Sequence, residues 1–196
     1  MGLRKARPED ESGLYEVALK TGDAGQDATS SFEDPRLIGE VYVGPYLHLE
    51  PRFAFCLDEG GPAGYVLAAL DTVAFEESCE RQWWPTLRDR YPMDLPRPES
   101  DQSMVWTIHH PVNREPSLVS VYPSHLHIDL LPRVQGQGLG PLMLQHQLRT
   151  LADAGSRGVH LGVAKSNMRA QKVYRRLGFV DWDVSDAELI MVRPLP

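Results

Sequence analysis

The sequence predicts an α/β (α+β) fold, a mixed twisted sheet with helices on both faces. Three observations lead there. From Ser124 onward, apolar runs alternate with amphipathic segments in the order β-α-β-α-β-β. In the amino-terminal half, two apolar runs flank Gly60 and Gly61 as a hairpin would. Between a strand-like run and a long amphipathic segment lies RVQGQGLG, 133–140. Strands followed by helices that return to one sheet require cover on both faces.

Taken in order, LRKARP reads as a first strand and PEDESGLYEVALKTG as a helix, with acidic residues in its opening turn and Gly22 beyond its end. A second helical region is expected over 35–48. RFAFCLDEGGPAGYVLAALD gives the hairpin, expected as the central antiparallel pair. DTVAFEESCERQWWPTLRDRYP reads as an inserted helix, broken at Pro85 and again before Pro92. Pro96, Pro98, Pro111 and Pro116 then punctuate a long connection. The second half predicts a strand over 124–132, a helix to about Ala154, a strand at VHLGVAK, a helix over 167–177, and strands near FVDWDV and ELIMVRP. With no internal repeat or linker, a single domain over 1–196 is expected.

Composition bounds the function. The 196 residues carry a net charge of −7, which argues against nucleic acid and suits a cationic ligand. No apolar stretch approaches ~18 residues and MGLRKARPEDESG lacks a secretion-signal core, so no membrane partner and a cytoplasmic location are expected. Cys56 and Cys79 are the only cysteines, too few for a disulfide framework or a four-thiolate zinc site. Both are expected as buried thiols.

The glycine-rich loop has the chemistry of an anion cradle. Gly136, Gly138 and Gly140 allow positive φ and close backbone approach, so successive N–H groups can face a phosphate at the positive end of a helix. Pro141 suits a first helical turn. The spacing is neither G-x-G-x-x-G nor a Walker loop; it is Arg/Gln-x-x-Gly-x-Gly. That signature resembles the pyrophosphate loop of the GNAT superfamily of N-acetyltransferases. About thirty residues on, SNMRAQKVYRRLGF resembles that family's Asn-x-x-Ala-x-x-x-Tyr-x-x-x-Gly-Phe at Asn167, Ala170, Tyr174, Gly178 and Phe179. On a helix, Asn167, Ala170 and Tyr174 share one face.

The resemblance implies a GNAT-like, mostly antiparallel sheet whose parallel central strands diverge around acetyl-CoA. It implies cofactor contacts at Leu130, Leu131, Gln135, Gly136, Gln137, Gly138, Leu139 and Gly140, with Asn167 orienting the pantetheine arm. Tyr174 is implied as the acid that protonates the departing thiolate. Segments DPRLIGEVYVGPY, IHHP and YPSHLHIDLLPRVQGQGLG look like bacterial proteins related to the acetyltransferase-like domain of O-GlcNAc hydrolase, over nearly the whole chain.

The general base is sought on HLHIDLLP, where strand alternation puts His125, His127 and Asp129 on one face and Leu126, Ile128 and Leu130 on the other. Asp129 is the first candidate, because burial would raise its pKa toward that of a working base. His127 is the alternative, a neutral imidazole near pH 7; Asp129 pairing with His127 or a loop amide is the structural alternative. No resident metal is expected, since His-x-His-x-Asp lacks a compelling further ligand. Acceptor contacts are expected from Tyr42, Tyr46 and Trp84, with Trp83, His109 and His110 nearby.

The expected activity is acetyl transfer from acetyl-CoA to a primary amine of a small molecule or peptide, by direct attack in a ternary complex. A non-catalytic acetyl-CoA-binding module and an amino-sugar acetyltransferase remain as alternatives, and either a monomer or a homodimer is compatible with the sequence.

Overall fold

The computed structural model describes residues 2–111, 114–184 and 188–196, with side chains described at all of these except 184. In chain order the elements are β1 (Gly2–Lys5), α1 (Glu11–Leu19), α2 (Leu37–Tyr42), α3 (Gly44–Leu49), β2 (Ala54–Asp58), β3 (Pro62–Ala69), α4 (Thr72–Gln82), α5 (Trp84–Arg90), α6 (Glu99–His109) and α7 (Pro116–Val119). They continue with β4 (Ser124–Leu130), α8 (Leu139–Asp153), β5 (Gly158–Ala164), α9 (Met168–Arg176), β6 (Val180–Val184) and β7 (Glu188–Pro194).

The seven strands form one sheet in the order β1-β2-β3-β4-β5-β7-β6. Every neighbouring pair is antiparallel except β4 with β5, which is parallel. The mixed α/β sheet expected from the sequence is thus present, and the β2–β3 hairpin lies beside its centre, with β4 in the middle position. Gly60 and Gly61, at φ +77 and +150, make the hairpin turn that left-handed backbone requires.

Two apolar layers sandwich the sheet. On one face, Tyr65 and Leu67 of β3 pack with Leu14, Val17, Leu37, Tyr46, Phe75 and Ile108 from the first six helices. On the other, Ala68, Leu126 and Leu161 meet Leu144, Leu148 and Leu151 of α8 and Tyr174 of α9. The alternation along β4 is the physical cause: Leu126 goes into the second layer while its odd-numbered neighbours face the first.

Three local expectations are corrected. The region 35–48 is two short helices, α2 and α3, because Pro45 cannot donate the bond a continuous helix needs and instead occupies the start of the second. Pro85 acts likewise at the start of α5. The Pro-rich connection contains α6, since Pro98 stands before the helix and Pro111 after it, leaving twelve residues between them, eleven of which coil. The first strand ends at Lys5, and Pro8 opens a 3₁₀ turn instead of extending it.

Candidate active site

The parallel strands pair at only two positions, Ser124 with Val159 and His125 with His160. Both strands run on, to Leu130 and to Ala164, without further mutual pairing. Where they part, a groove of about 640 Å³ opens, lined by Asp129, Leu130, Gly136, Gly138, Asn167 and Tyr174 among others. Gly136 and Gly138 sit at φ +79 and +77, in the left-handed region where glycine is at ease. Gly138 is the N-cap of α8, and a Cβ added there would meet nothing within 4 Å. The loop therefore opens toward the groove at the positive end of a fifteen-residue helix.

Other expected cofactor residues fall differently. Gly140 lies inside α8 and is not among the positive-φ glycines; it lines the groove, and a Cβ there would meet only Leu130 Cδ1, at 3.9 Å. The groove wall is built without Leu131, Gln137 and Leu139. Leu131 has already given its N–H to the Ala63 carbonyl at 2.9 Å, and the Gln137 carboxamide donates to the Arg133 carbonyl at 3.0 Å. Gln135 is on the wall with its carboxamide engaged at both ends, donating to the Leu130 carbonyl at 2.7 Å and accepting from Arg169 at 2.6 Å. Asn167 Oδ1 accepts from the Ala170 N–H at 3.0 Å, so this oxygen caps α9.

Two parts of the groove were missed in the sequence. Thr21, Ala24, Gly25 and Gln26 form a further wall, from a segment that shows only turn chemistry in its letters. A Cβ on Gly25 would sit 3.3 Å from Asn167 Nδ2, so this turn closes against the start of α9. The second part was legible: Arg169, Lys172 and Arg176, spaced i, i+3, i+7, line the groove from one stripe of α9. The groove is thereby basic within an acidic chain.

The register of β3 and β4 sets Tyr65 opposite Asp129, Leu67 opposite His127 and Ala69 opposite His125. Asp129 accepts a hydrogen bond from Tyr65 Oη at 2.6 Å and is also drawn on by Thr21; among the described residues neither His127 nor a loop amide is its partner. Burial pushes the Asp129 carboxyl up to about 6, against the opposing pull of that hydrogen bond. Tyr174, 8% exposed, shares the groove with Asp129. Burial, reinforced by the Asp129 charge, raises its phenol well above the ordinary tyrosine range and keeps it protonated.

A second cavity, of about 850 Å³, adjoins the other end of β4 and is lined by His125, His127 and His160. It brings together Tyr42, Tyr46 and Trp84 in one lining. Tyr42 is 37% exposed, whereas Tyr46 and Trp84 are largely buried in the wall. Trp83 is elsewhere, donating to the Glu40 carbonyl at 2.9 Å. His109 Nε2 contacts the Tyr91 carbonyl at 2.8 Å and His110 stacks on Trp106, both outside the lining. Burial depresses His127 and His160 to about 4. His160, hidden in the strand-like VHLGVAK, is a lining residue that periodicity alone did not mark. Among the described residues no group of three or more His, Cys, Asp or Glu is placed to hold a metal ion, and no helix is long and apolar enough to cross a membrane.

Parted parallel strands, a glycine loop leading into a helix, and a buried tyrosine beside the wedge are the features that the sequence resemblance implies for an acetyltransferase fold. Residues 23–179 match the model of the Acetyltransferase (GNAT) family, and the chain belongs to that family. The crystal structure of SsHAT superposes with a TM-score of 0.90 at 36% identity, covering 98% of this chain and 97% of that one. Mycothiol acetyltransferase of Pseudarthrobacter chlorophenolicus is 35% identical over 80 residues, 40% of this chain and 24% of the relative, so the match spans about a quarter of that protein's length. Chaetomium thermophilum Naa20, solved in complex with a bisubstrate analogue, shares the fold with a TM-score of 0.56 at 18% identity, over 100% of this chain and 87% of that one.

Proposed function

We propose that this chain is a single-domain enzyme that transfers an acetyl group from acetyl-CoA to a primary amine by direct attack. The observation that carries the reading is the groove itself, where β4 and β5 part beside the open glycine loop and the basic stripe of α9. Backbone N–H groups around Gly136 and Gly138, with Arg169, Lys172 and Arg176, suit the phosphates of coenzyme A. Bound acetyl-CoA supplies a thioester carbon open to attack and a thiolate leaving group.

The residues of the chain manage the protons. Asp129, raised to about 6, is half-ionised near neutral pH's acid edge and can take the proton of an incoming ammonium. Tyr174 keeps its phenolic proton at the groove and holds it for the departing sulfur. Direct transfer needs no protein nucleophile, and burial raises the thiols of Cys56 and Cys79 to about 11 and about 12, where neither is a ready thiolate. Amine and cofactor would meet along β4, the amine from the His127 side and the cofactor from the Asp129 side.

The motifs DPRLIGEVYVGPY and IHHP support a finer kinship, with bacterial proteins related to the acetyltransferase-like domain of O-GlcNAc hydrolase. Calorimetry with acetyl-CoA, followed by thiol release with a panel of amines, tests the function. Saturable binding and amine-dependent release are expected, and Tyr174→Phe should cut kcat by about tenfold or more while leaving cofactor binding intact. Binding without release would favour a non-catalytic module; no binding would overturn the reading.

A further inference from the structure

Hydrogen-bond geometry fixes the proton positions along one wall of the second cavity. Thr72 Oγ1 lies 2.7 Å from the Pro123 carbonyl oxygen, which has no proton to give, so the hydroxyl donates there. His125 Nδ1, 2.8 Å from the same Oγ1, must then carry the proton of that contact. Burial, aided by the neighbouring His160 and His127, keeps the His125 ring neutral, which leaves Nε2 as a bare lone pair. Tyr46 Oη, 2.7 Å from Nε2, therefore donates to it. Its hydrogen is spent, and it can offer the cavity only lone pairs.

His160 repeats the pattern. Its side chain is 1% exposed, and Nδ1 donates to the Tyr122 carbonyl at 2.9 Å. Nε2 is thus an acceptor, and it has no hydrogen-bond partner among the described residues. Tyr46 and His160 both stand in the cavity lining with three carboxylates of α4: Glu76, which accepts from the Arg114 backbone N–H at 3.3 Å, Glu77, 3.6 Å from Arg81, and Glu80, held by Arg88 at 2.6 Å. Arg114 is the cation among the described lining residues, and its guanidinium lies 3.6 Å from the Glu188 carboxylate. By charge the lining is acidic, four glutamates against one arginine, and Tyr46 and His160 add acceptors to a wall whose donors include Tyr42, Thr107, Trp84 and Arg114.

Resting on the transferase reading above, we propose that this cavity selects small amines rich in N–H and O–H donors that carry no anionic group. An ammonium meets lone pairs and carboxylates as a complement. A carboxylate or phosphate on the same small molecule would face those groups unpaired and be rejected. Thr72 acts through His125 on Tyr46 and is a positioning residue.

The test compares kcat/KM within matched pairs: tyramine against tyrosine, cadaverine against lysine, and glucosamine against glucosamine 6-phosphate. The member without the anion should be favoured by about tenfold or more, chiefly through KM. Thr72→Val removes the group that holds the proton on Nδ1, letting His125 present Nε2–H and Tyr46 turn its hydroxyl outward, so the preference should shrink; Thr72→Ser should restore it. Tyr46→Phe, which keeps the ring and deletes the oxygen, should raise KM for the amines more than it lowers kcat. Equal or better use of the anionic members overturns the proposal, as does an undiminished preference in both Thr72→Val and Tyr46→Phe. Thiol release with anionic acceptors alone would sink this proposal and leave the transferase reading standing, whereas failure to bind acetyl-CoA would remove both.

Discussion

Asp129 and His127 stand two positions apart on the same face of β4, yet burial drives their pKa values in opposite directions, to about 6 and about 4. Each is pushed toward its neutral form, because a poorly solvated site disfavours charge of either sign. The choice of base is therefore testable by pH. With Asp129 as base, kcat/KM rises as the carboxyl ionises, levelling above a pH of about 6, and Asp129→Asn costs about 10²-fold or more in kcat. A profile that inflects near 4, with most activity retained in Asp129→Asn, would transfer the role to His127. That these residues share a face was legible from strand alternation in HLHIDLLP. That Asp129 pairs with Tyr65 was not, because the partner lies 64 positions away and is set by the register of β3 on β4.

At the scale of elements, α9 has two separate jobs on neighbouring stripes. Asn167, Ala170 and Tyr174 form one i, i+3, i+7 set, and Arg169, Lys172 and Arg176 form the next. The first was visible through family resemblance and the second lay in plain charge spacing. Asn167 carries an additional duty that sequence alone did not assign, since its Oδ1 caps the helix. Replacement by alanine is expected to cost about 1 kcal/mol of stability, while Asn167→Asp keeps the cap. Denaturant midpoints of the two variants decide this, and an Asn167→Ala protein as stable as the parent would show that the cap contributes nothing. The elements that sequence misjudged, α2 with α3 and α6, are those where a proline begins or bounds a helix instead of abolishing it.

For the whole molecule, stability should depend on acidity through buried histidines. His125, His127, His146 and His160 are all held below the ordinary histidine range, with burial the largest cause in each. Unfolded, they titrate near ~6.5. As the pH falls from there toward about 4, the unfolded chain binds protons that the folded chain refuses, and stability is lost. Asp129 works the other way between about pH 4 and 6, where its folded carboxyl keeps a proton the unfolded one gives up. Glu50 and Glu76, also raised by burial, act with Asp129, but Asp10, Asp58 and Glu80, each lowered by an arginine hydrogen bond, act with the four histidines, so Tm should fall on acidification across this window. His160→Gln should flatten the fall, and a Tm that is level or rising from pH 6.5 to 4 would contradict the balance.

The succession of strands and helices in the second half could be read from βα alternation, because each helix must return over the sheet that precedes it, whereas the placing of β7 between β5 and β6 could not. The amino-terminal half was harder, since its helices pack through residues distant in sequence. Where the halves meet, the sheet is joined by two residue pairs of β4 and β5 and by the Ser124–Ser156 hydroxyl contact of 2.7 Å at the same end. The two leaves, β1 to β4 on one side and β5, β7 and β6 on the other, are otherwise coupled through the layer in which Leu126 and Leu161 pack against α8. A molecule lodged in the wedge would be the clasp at the open end, so filling it should slow amide hydrogen exchange on both leaves at once, including in strands it never touches.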